Sequence, residues 1–272
     1  MTASADIYQS ARLAAGYAFH RPPVHPRIIA KLREQITKPF QCALDIGCGA
    51  GLSTAALAPI AAITVGLEPA ATMLMHSMAV APEAYFIIAQ AEQLPFAAQS
   101  VDLLTAAGSL NYADLDRFFP EAARVLTDDG VLVIYDFSEA RRLHNDHRLE
   151  NWYNRFVTRF PAPPGYAMDM RTLAYSRYGF ELSAYEEFEV AVPMTQQSYL
   201  QYAMSEARVE RAILKGAAES DIRTWCSHTL ADIFDTTPRA VLFDAYLALV
   251  KRAAEPREIP NEHDHPIAEG GR

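Results

Sequence analysis

Between residues 42 and 135 short apolar runs alternate with stretches of helical period. In order they are CALDIG, LSTAALAPI, ITVGLE, ATMLMHSMAV, AYFIIA, VDLLTA, a long helix, and VLVIYDF. Such alternation predicts a parallel sheet covered by helices on both faces. The long helix carries the clearest signal. Leu115, Phe118, Phe119, Ala122 and Val125 recur at helical spacing behind Asp114 as N-cap, and Asp128, Asp129 and Gly130 mark a turn after it.

Beyond Phe137 the texture changes to an Arg- and aromatic-rich insertion, residues 140–178, broken by PAPPG at 161–165. Alternation returns in FEVAVPM and in RAVLFDAYLALVKR, which predict two late strands, the last one antiparallel over 239–251. Residues 195–235 between them read as helical, with Leu200, Met204 and Ala207 on one face, and are expected to cover the carboxyl edge of the sheet. The tail from about Ala253 is polar and aperiodic and is expected to be mobile. The division is therefore an N-terminal helical segment (1–39), a main domain (40–252) with cap insertions near 140–178 and 195–235, and a tail (253–272).

With 272 residues and 50% hydrophobic positions the chain can bury a full sheet. A net charge of −9 argues against nucleic acid as partner, since phosphate binding needs a broad Lys/Arg surface. Cys42, Cys48 and Cys226 have neither metal-ligand nor disulfide spacing, which suggests reduced thiols and a cytoplasmic location. No apolar run approaches the roughly 20 residues that span a bilayer, and the opening MTASADIYQS lacks the features of a signal peptide, so no membrane partner is expected.

Candidate chemistry concentrates in Leu44-Asp45-Ile46-Gly47-Cys48-Gly49-Ala50-Gly51, a strand running into a glycine turn and then a helix. Glycines let the backbone approach a ligand closely. Asp45 at the strand's carboxyl end would repel a pyrophosphate and welcome a cation, and the spacing is GxGxG rather than the GxGxxG of dinucleotide binders. Glu68, before Pro69 and about 20 positions after the turn, suits a pair of ribose hydroxyls. In AQAEQLPF (89–96), Gln90, Ala91 and Glu92 stand where a side-chain acceptor and a backbone N–H could read adenine.

With these three elements in order, residues 40–137 resemble the cofactor half of the class I S-adenosylmethionine (SAM) dependent methyltransferases. The resemblance implies a Rossmann-like α/β fold with a seven-stranded sheet of order 3-2-1-4-5-7-6, SAM as cofactor, and S-adenosylhomocysteine (SAH) as product. It places the methionine part of SAM on Asp45, Gly47, Cys48, Gly49 and Gly51, ribose on Glu68 and Pro69, and adenine on a loop that in the family commonly reads GDAExLPF, with Gln90 here replacing its Asp. The stretch 102–112 is similar to the fourth strand and its loop, which implies Ala106 and Ala107 at the cofactor and Asn111 and Tyr112 facing the reaction. Upstream, Tyr17-Ala18-Phe19-His20-Arg21-Pro22-Pro23 resembles the YxxYRP segment of bacterial members related to trans-aconitate and quinone-precursor methyltransferases, with His20 replacing an aromatic. That segment folds over the cofactor in those proteins, which implies Arg21 as a cofactor contact and Tyr17 or His20 beside the methyl. A base such as His20 is useful only where the acceptor must lose a proton.

Seven arginines against three acids between Arg141 and Arg177 give a local charge of +4. They read either as a solvated helix face or, through Arg155 and Arg159, as a site for an acidic acceptor. The pairs His144/His147 and His263/His265 gather no third ligand, and methyl transfer from SAM requires no metal. Cys48 reads as packing rather than as a nucleophile. The expected function is methyl transfer to a small molecule; a SAM-binding protein without catalysis and a NAD-type oxidoreductase are the alternatives. Substrate identity, the acceptor atom and the oligomeric state are not legible.

Overall fold

The structure is a computed structural model that describes residues 7–162, 168–235 and 237–253. Helix α1 (Ala11–His20) begins at Ser10, whose hydroxyl accepts the Leu13 N–H at 3.2 Å, and α2 (His25–Arg33) follows after a short break. The core then alternates as expected: β1 (Phe40–Ile46), α3 (Leu52–Leu57), β2 (Ala61–Leu67), α4 (Ser77–Val80), β3 (Tyr85–Ile87), β4 (Val101–Ala107), α5 (Leu115–Val125) and β5 (Leu126–Phe137). The helix predicted over 71–80 is instead a 3-10 turn, Met73–His76, running into the single turn of α4. Strand β5 begins directly after α5, and a register shift between Val101 and Leu103 of β4 absorbs the turn expected at 128–130.

The late elements are β6 (Arg142–Leu143), α6 (Arg148–Arg159), β7 (Phe180–Met194), α7 (Gln196–Met204), α8 (Ala207–Leu214), α9 (Glu219–Leu230) and β8 (Arg239–Arg252). The sheet runs β3-β2-β1-β4-β5-β8-β7, parallel through β5 and antiparallel at β8, so its main path has the order implied by the resemblance. The eighth strand is the two-residue β6, which pairs with β8 on the side that β5 occupies further along. The tail expected to be mobile lies, from residue 254, outside the described residues. Ala253 itself donates to the Gly179 carbonyl at 2.9 Å.

Period-2 alternation sends successive residues to opposite faces. In β1, Ala43 enters one apolar core with α2, α3, α6, α7 and α9, whereas Leu44 and Ile46 enter a second core with α5. Because β1 is flanked by β2 and β4, the chain crosses to opposite sides of the sheet from there. That strand-order reversal leaves a crevice at the carboxyl ends of β1 and β4, where ligands bind in open α/β sheets.

Helix α6 buries Leu149, Trp152, Tyr153 and Phe156, and the Trp152 indole N–H donates to Thr229 Oγ1 on α9 at 2.7 Å. Helix α1 is clamped to the turn between α7 and α8. Arg12 Nε donates to Glu210 at 2.6 Å and Nη1 to the Met204 carbonyl at 3.0 Å. Gly16 permits the approach, since a Cβ there would stand 2.9 Å from Ser205 Cβ.

Candidate functional site

At the end of β1 the chain turns through Gly47, Gly49 and Gly51 at φ of +65°, +55° and +92°. These are left-handed conformations that side chains resist. Gly47 is held doubly, because a Cβ there would lie 2.5 Å from Ser109 Cβ on the loop after β4. Ser109 Oγ donates to the Ile46 carbonyl at 2.6 Å and closes the contact. The turn has few amides left for an anion. The Gly47 and Cys48 N–H groups go to Leu67 O, that of Gly49 to Glu68 Oε2 at 3.0 Å, and that of Gly51 to Cys48 O.

A cavity of about 580 Å³ opens above this turn, within the range typical of small-ligand sites. Glu68, at the end of β2, lines it while being almost fully buried. Its second oxygen accepts the Ala70 N–H at 3.0 Å, and burial pushes its carboxyl above the usual range against the pull of those two backbone bonds. Gln90, Ala91 and Glu92 form the wall after β3. Their loop is fixed from α5: Glu121 accepts the Leu94 N–H at 2.8 Å, Arg124 donates to the Leu94 and Phe96 carbonyls, and the two side chains pair with each other. Ala107, Gly108, Ser109 and Tyr112 close the side after β4.

The N-terminal segment supplies the remaining wall through Tyr8, Gln9 and Tyr17. Tyr8 stands edge-on to Tyr17 and to Tyr112, with ring centroids 6.5 and 6.1 Å away, and its hydroxyl lies 3.2 Å from that of Tyr112. Burial, then the neighbouring Tyr17 and Tyr112, raise its pKa. Gln9 Oε1 accepts from Thr72 Oγ1 at 3.1 Å, which ties the same segment to the turn after β2.

Of the residues singled out from sequence, Tyr17, Gly47, Gly49, Glu68, Pro69, Gln90, Ala91, Glu92, Ala107 and Tyr112 come together around this cavity. Others do not. Asp45 is fully buried beneath the turn, and its carboxylate accepts from Ser53 Oγ (2.6 Å), Thr54 Oγ1 (2.8 Å) and Thr105 Oγ1 (2.9 Å). It ties β1 to α3 and β4, and burial pushes it up to about 6 against those three bonds. Cys48 is buried with its sulfur against Gly66, Gly51 packs on Phe86, and Ala106 points into the α5 core. Asn111 sits in the 3-10 turn beside Tyr112 without lining the cavity.

His20, at the last turn of α1, is absent from this wall too. Burial and the Arg223 charge lower its pKa. Arg155 and Arg159 are exposed on α6 beside its buried aromatics, with Arg159 over the Trp225 ring at 5.3 Å. Arg21 lines a neighbouring cavity instead, its guanidinium 4.0 Å over the Tyr17 ring.

Sequence reasoning missed Tyr8, Gln9, Ser109 and Arg117, all of which line the larger cavity. Ser10 as N-cap was the available signal for the first two, since a capped helix start fixes where the preceding residues point.

A family model described as a methyltransferase domain matches residues 44–134. An uncharacterized methyltransferase of Synechocystis is 29% identical over 137 residues, covering 49% of this chain and 57% of the relative. A ubiquinone/menaquinone biosynthesis C-methyltransferase of Campylobacter jejuni is 35% identical over 78 residues, covering 28% of this chain and 33% of the relative. The chain thus spans little more than half, or less, of the length of these curated relatives. Among solved structures, a protein of Anaeromyxobacter dehalogenans provisionally described as a type II methyltransferase superposes with a TM-score of 0.61 at 22% identity, over 85% of this chain and 97% of that one. A phosphoethanolamine N-methyltransferase of Haemonchus contortus bound to SAH and phosphomonomethylethanolamine gives 0.54 at 16% identity, over 93% and 61%. At such identities the likeness is one of fold.

Proposed function

We propose that this chain, whose residues 44–134 form a methyltransferase domain of the class I, SAM-dependent kind, transfers a methyl group from SAM to a small-molecule acceptor. One observation carries the reading. A single cavity takes its walls, in strand order, from the glycine turn after β1, Glu68 after β2, Gln90–Glu92 after β3 and Ser109 after β4. The residues present fit the cofactor. With the N–H groups of Gly47, Cys48, Gly49 and Gly51 spent internally, and with Asp45 and Glu68 beside the turn, the site is poor for a pyrophosphate and favourable for a cationic sulfonium and ammonium. This weighs against the NAD-type alternative.

In this reading Glu68 holds the ribose hydroxyls with the lone pairs its two backbone bonds leave free, Gln90 and Ala91 hold adenine, and Gly47 and Gly49 give the methionine part close access. The bound cofactor supplies an electrophilic methyl on sulfur. The protein's share is alignment and exclusion of water. Tyr8, Tyr17 and Tyr112 wall the cavity with aromatic faces that favour a cation and shut out solvent. The acid preference first read from Arg155 and Arg159 has no support at those exposed positions; a half-buried cation, Arg21, stands nearer. A small-molecule partner, rather than nucleic acid, accords with the net charge of −9, and a cytoplasmic setting accords with the free thiols of Cys42, Cys48 and Cys226. Isothermal titration with SAM, SAH and NAD tests the cofactor, and mass spectrometry of a metabolite extract incubated with methyl-labelled SAM tests the transfer. Tighter binding of NAD than of SAH would defeat the reading.

A further inference from the structure

A second cavity, of about 330 Å³, lies beside the first between α2 and α3, and its lining includes Arg21, His25, Ile29, Leu52, Ala55 and Ile60. Apart from Arg21, the imidazole of His25 and the exposed Arg33 at the end of α2, these walls are apolar. Arg21 reaches it from the end of α1 with little to satisfy its charge. Among the described residues its one hydrogen bond runs from Nη2 to the Ser205 carbonyl at 3.3 Å and its Nε is buried without a partner, while its guanidinium lies over the rings of Tyr17 (4.0 Å) and Tyr202 (5.4 Å).

Among the described residues no carboxylate oxygen comes within salt-bridge range of Arg21. By contrast Arg12 is paired with Glu210 and Arg208 with Glu206. Glu206 is the acid whose field reaches Arg21, but its Oε2 accepts Arg208 Nε at 2.7 Å and the Tyr153 hydroxyl at 3.2 Å, and its Oε1, buried without a partner among the described residues, lies outside salt-bridge range of Arg21. A half-buried cation whose nearest counter-charge is paired with another arginine is suited to an anion. His25 does not add a second positive charge, because burial and the Arg21 charge hold its imidazole neutral, with Nδ1 3.1 Å from the Tyr135 hydroxyl.

We propose that this second cavity is a seat for a small carboxylate with an apolar body. The guanidinium fork of Arg21 takes the carboxylate, and Ile29, Leu52, Ala55 and Ile60 take the body. The seat adjoins the larger cavity through Tyr17, whose ring lines that cavity and carries the Arg21 guanidinium. As the seat of the methyl acceptor this deepens the function proposed above and rests on it; as a carboxylate site it needs only Arg21 and the cavity.

The test is calorimetry on the full chain, with and without saturating SAH, using hexanoate and its uncharged amide. Arg21→Gln removes the fork, and Ala30→Trp fills the mouth from an exposed position on α2 that lines the cavity. Hexanoate is expected to bind the wild type roughly tenfold or more tightly than hexanamide, and both substitutions should abolish that difference while SAH affinity stays nearly unchanged. Equal binding of acid and amide, no binding of either, or undiminished hexanoate binding in both variants overturns the proposal. So does an Arg21→Gln protein that loses roughly tenfold in SAH affinity, which would give the guanidinium to the cofactor's own carboxylate. Failure of wild type to bind SAH sinks methyl transfer instead, and the ligand-free arm still decides the seat.

Discussion

The hydroxyls of Tyr8 and Tyr112 face each other at 3.2 Å and join two walls of the larger cavity that are 104 residues apart in sequence. Tyr8 belongs to the segment ahead of α1, and Tyr112 to the turn that follows β4. Tyr112 is 60% exposed, so the bond lies at the cavity's edge, where a ligand would have to pass or be held. Removing either hydroxyl should therefore speed the departure of SAH more than it slows its arrival. A neutral hydrogen bond is worth about 0.5 to 1.5 kcal/mol, so Tyr8→Phe should weaken SAH binding by roughly 3- to 10-fold. A double-mutant cycle with Tyr112→Phe should show the two losses to be shared rather than summed. Strict additivity would mean that the two hydroxyls act separately.

Glu68 has two duties, and its substitution should reveal both. It accepts the Gly49 and Ala70 amides, which fixes the turn, and it faces the cavity. Glu68→Ala should cost about 1.5 to 3 kcal/mol of SAH binding, or about 10- to 100-fold. The ligand-free protein should also unfold at lower urea, because two buried amides lose their acceptor. Wild-type SAH affinity in calorimetry would remove the assignment to ribose.

Gly47 allows a cleaner separation of backbone from contact. Gly47→Ala suffers both a φ of +65° and a Cβ 2.5 Å from that of Ser109. Adding Ser109→Gly relieves the clash but not the φ, and it also deletes the bond to the Ile46 carbonyl. The single variant should lose about 2 kcal/mol or more, and the double should recover only part of that. Full recovery in urea unfolding would show that the backbone conformation costs nothing there.

What could be read in advance divides along a physical line. The alternation of strands and helices and the turns that carry Glu68 and Gln90–Glu92 were legible because apolar period and turn chemistry are local properties of the chain, whereas the order β3-β2-β1-β4-β5-β8-β7, a non-local property, was implied only by the resemblance. Asp45 lies beneath the glycine turn for a reason no local pattern reveals. A carboxylate at a strand's end can point into the crevice or beneath it, and here three hydroxyls, one of them 60 residues away on Thr105, draw it inside. The surroundings of Arg155 and Arg159 were likewise not legible. Their charge was visible, but their exposure at the edge of the aromatic cluster depends on how Trp152 and Phe156 pack on α9 and the core, which is a tertiary property. Tyr8 was invisible because its role depends on where α1 is clamped, through Arg12 and Glu210.

The histidine that bears on stability is His25 rather than His20. Burial, reinforced by the Arg21 charge, lowers its pKa from 6.5 to about 4, and its ring packs edge-on against Tyr135 and Phe137. Between those two values the unfolded chain binds a proton that the folded chain refuses, so this contribution is complete above about pH 6.5 and is lost as pH falls toward about 4. Asp45 and Asp136 act in the opposite sense: burial raises each from 3.8 to about 6, so the folded chain keeps protons the unfolded one has released, and stability falls as pH rises through that window. The two effects overlap and mask each other in the whole protein, and a substitution isolates one. His25→Gln keeps a polar group near the Tyr135 hydroxyl but cannot titrate. Its loss of stability between about pH 7 and about pH 4.5 should be smaller than the wild type's by about 2 kcal/mol. Urea unfolding of both proteins at the two pH values measures this directly, and parallel pH dependence would show that His25 titrates in the native state as it does in the unfolded chain.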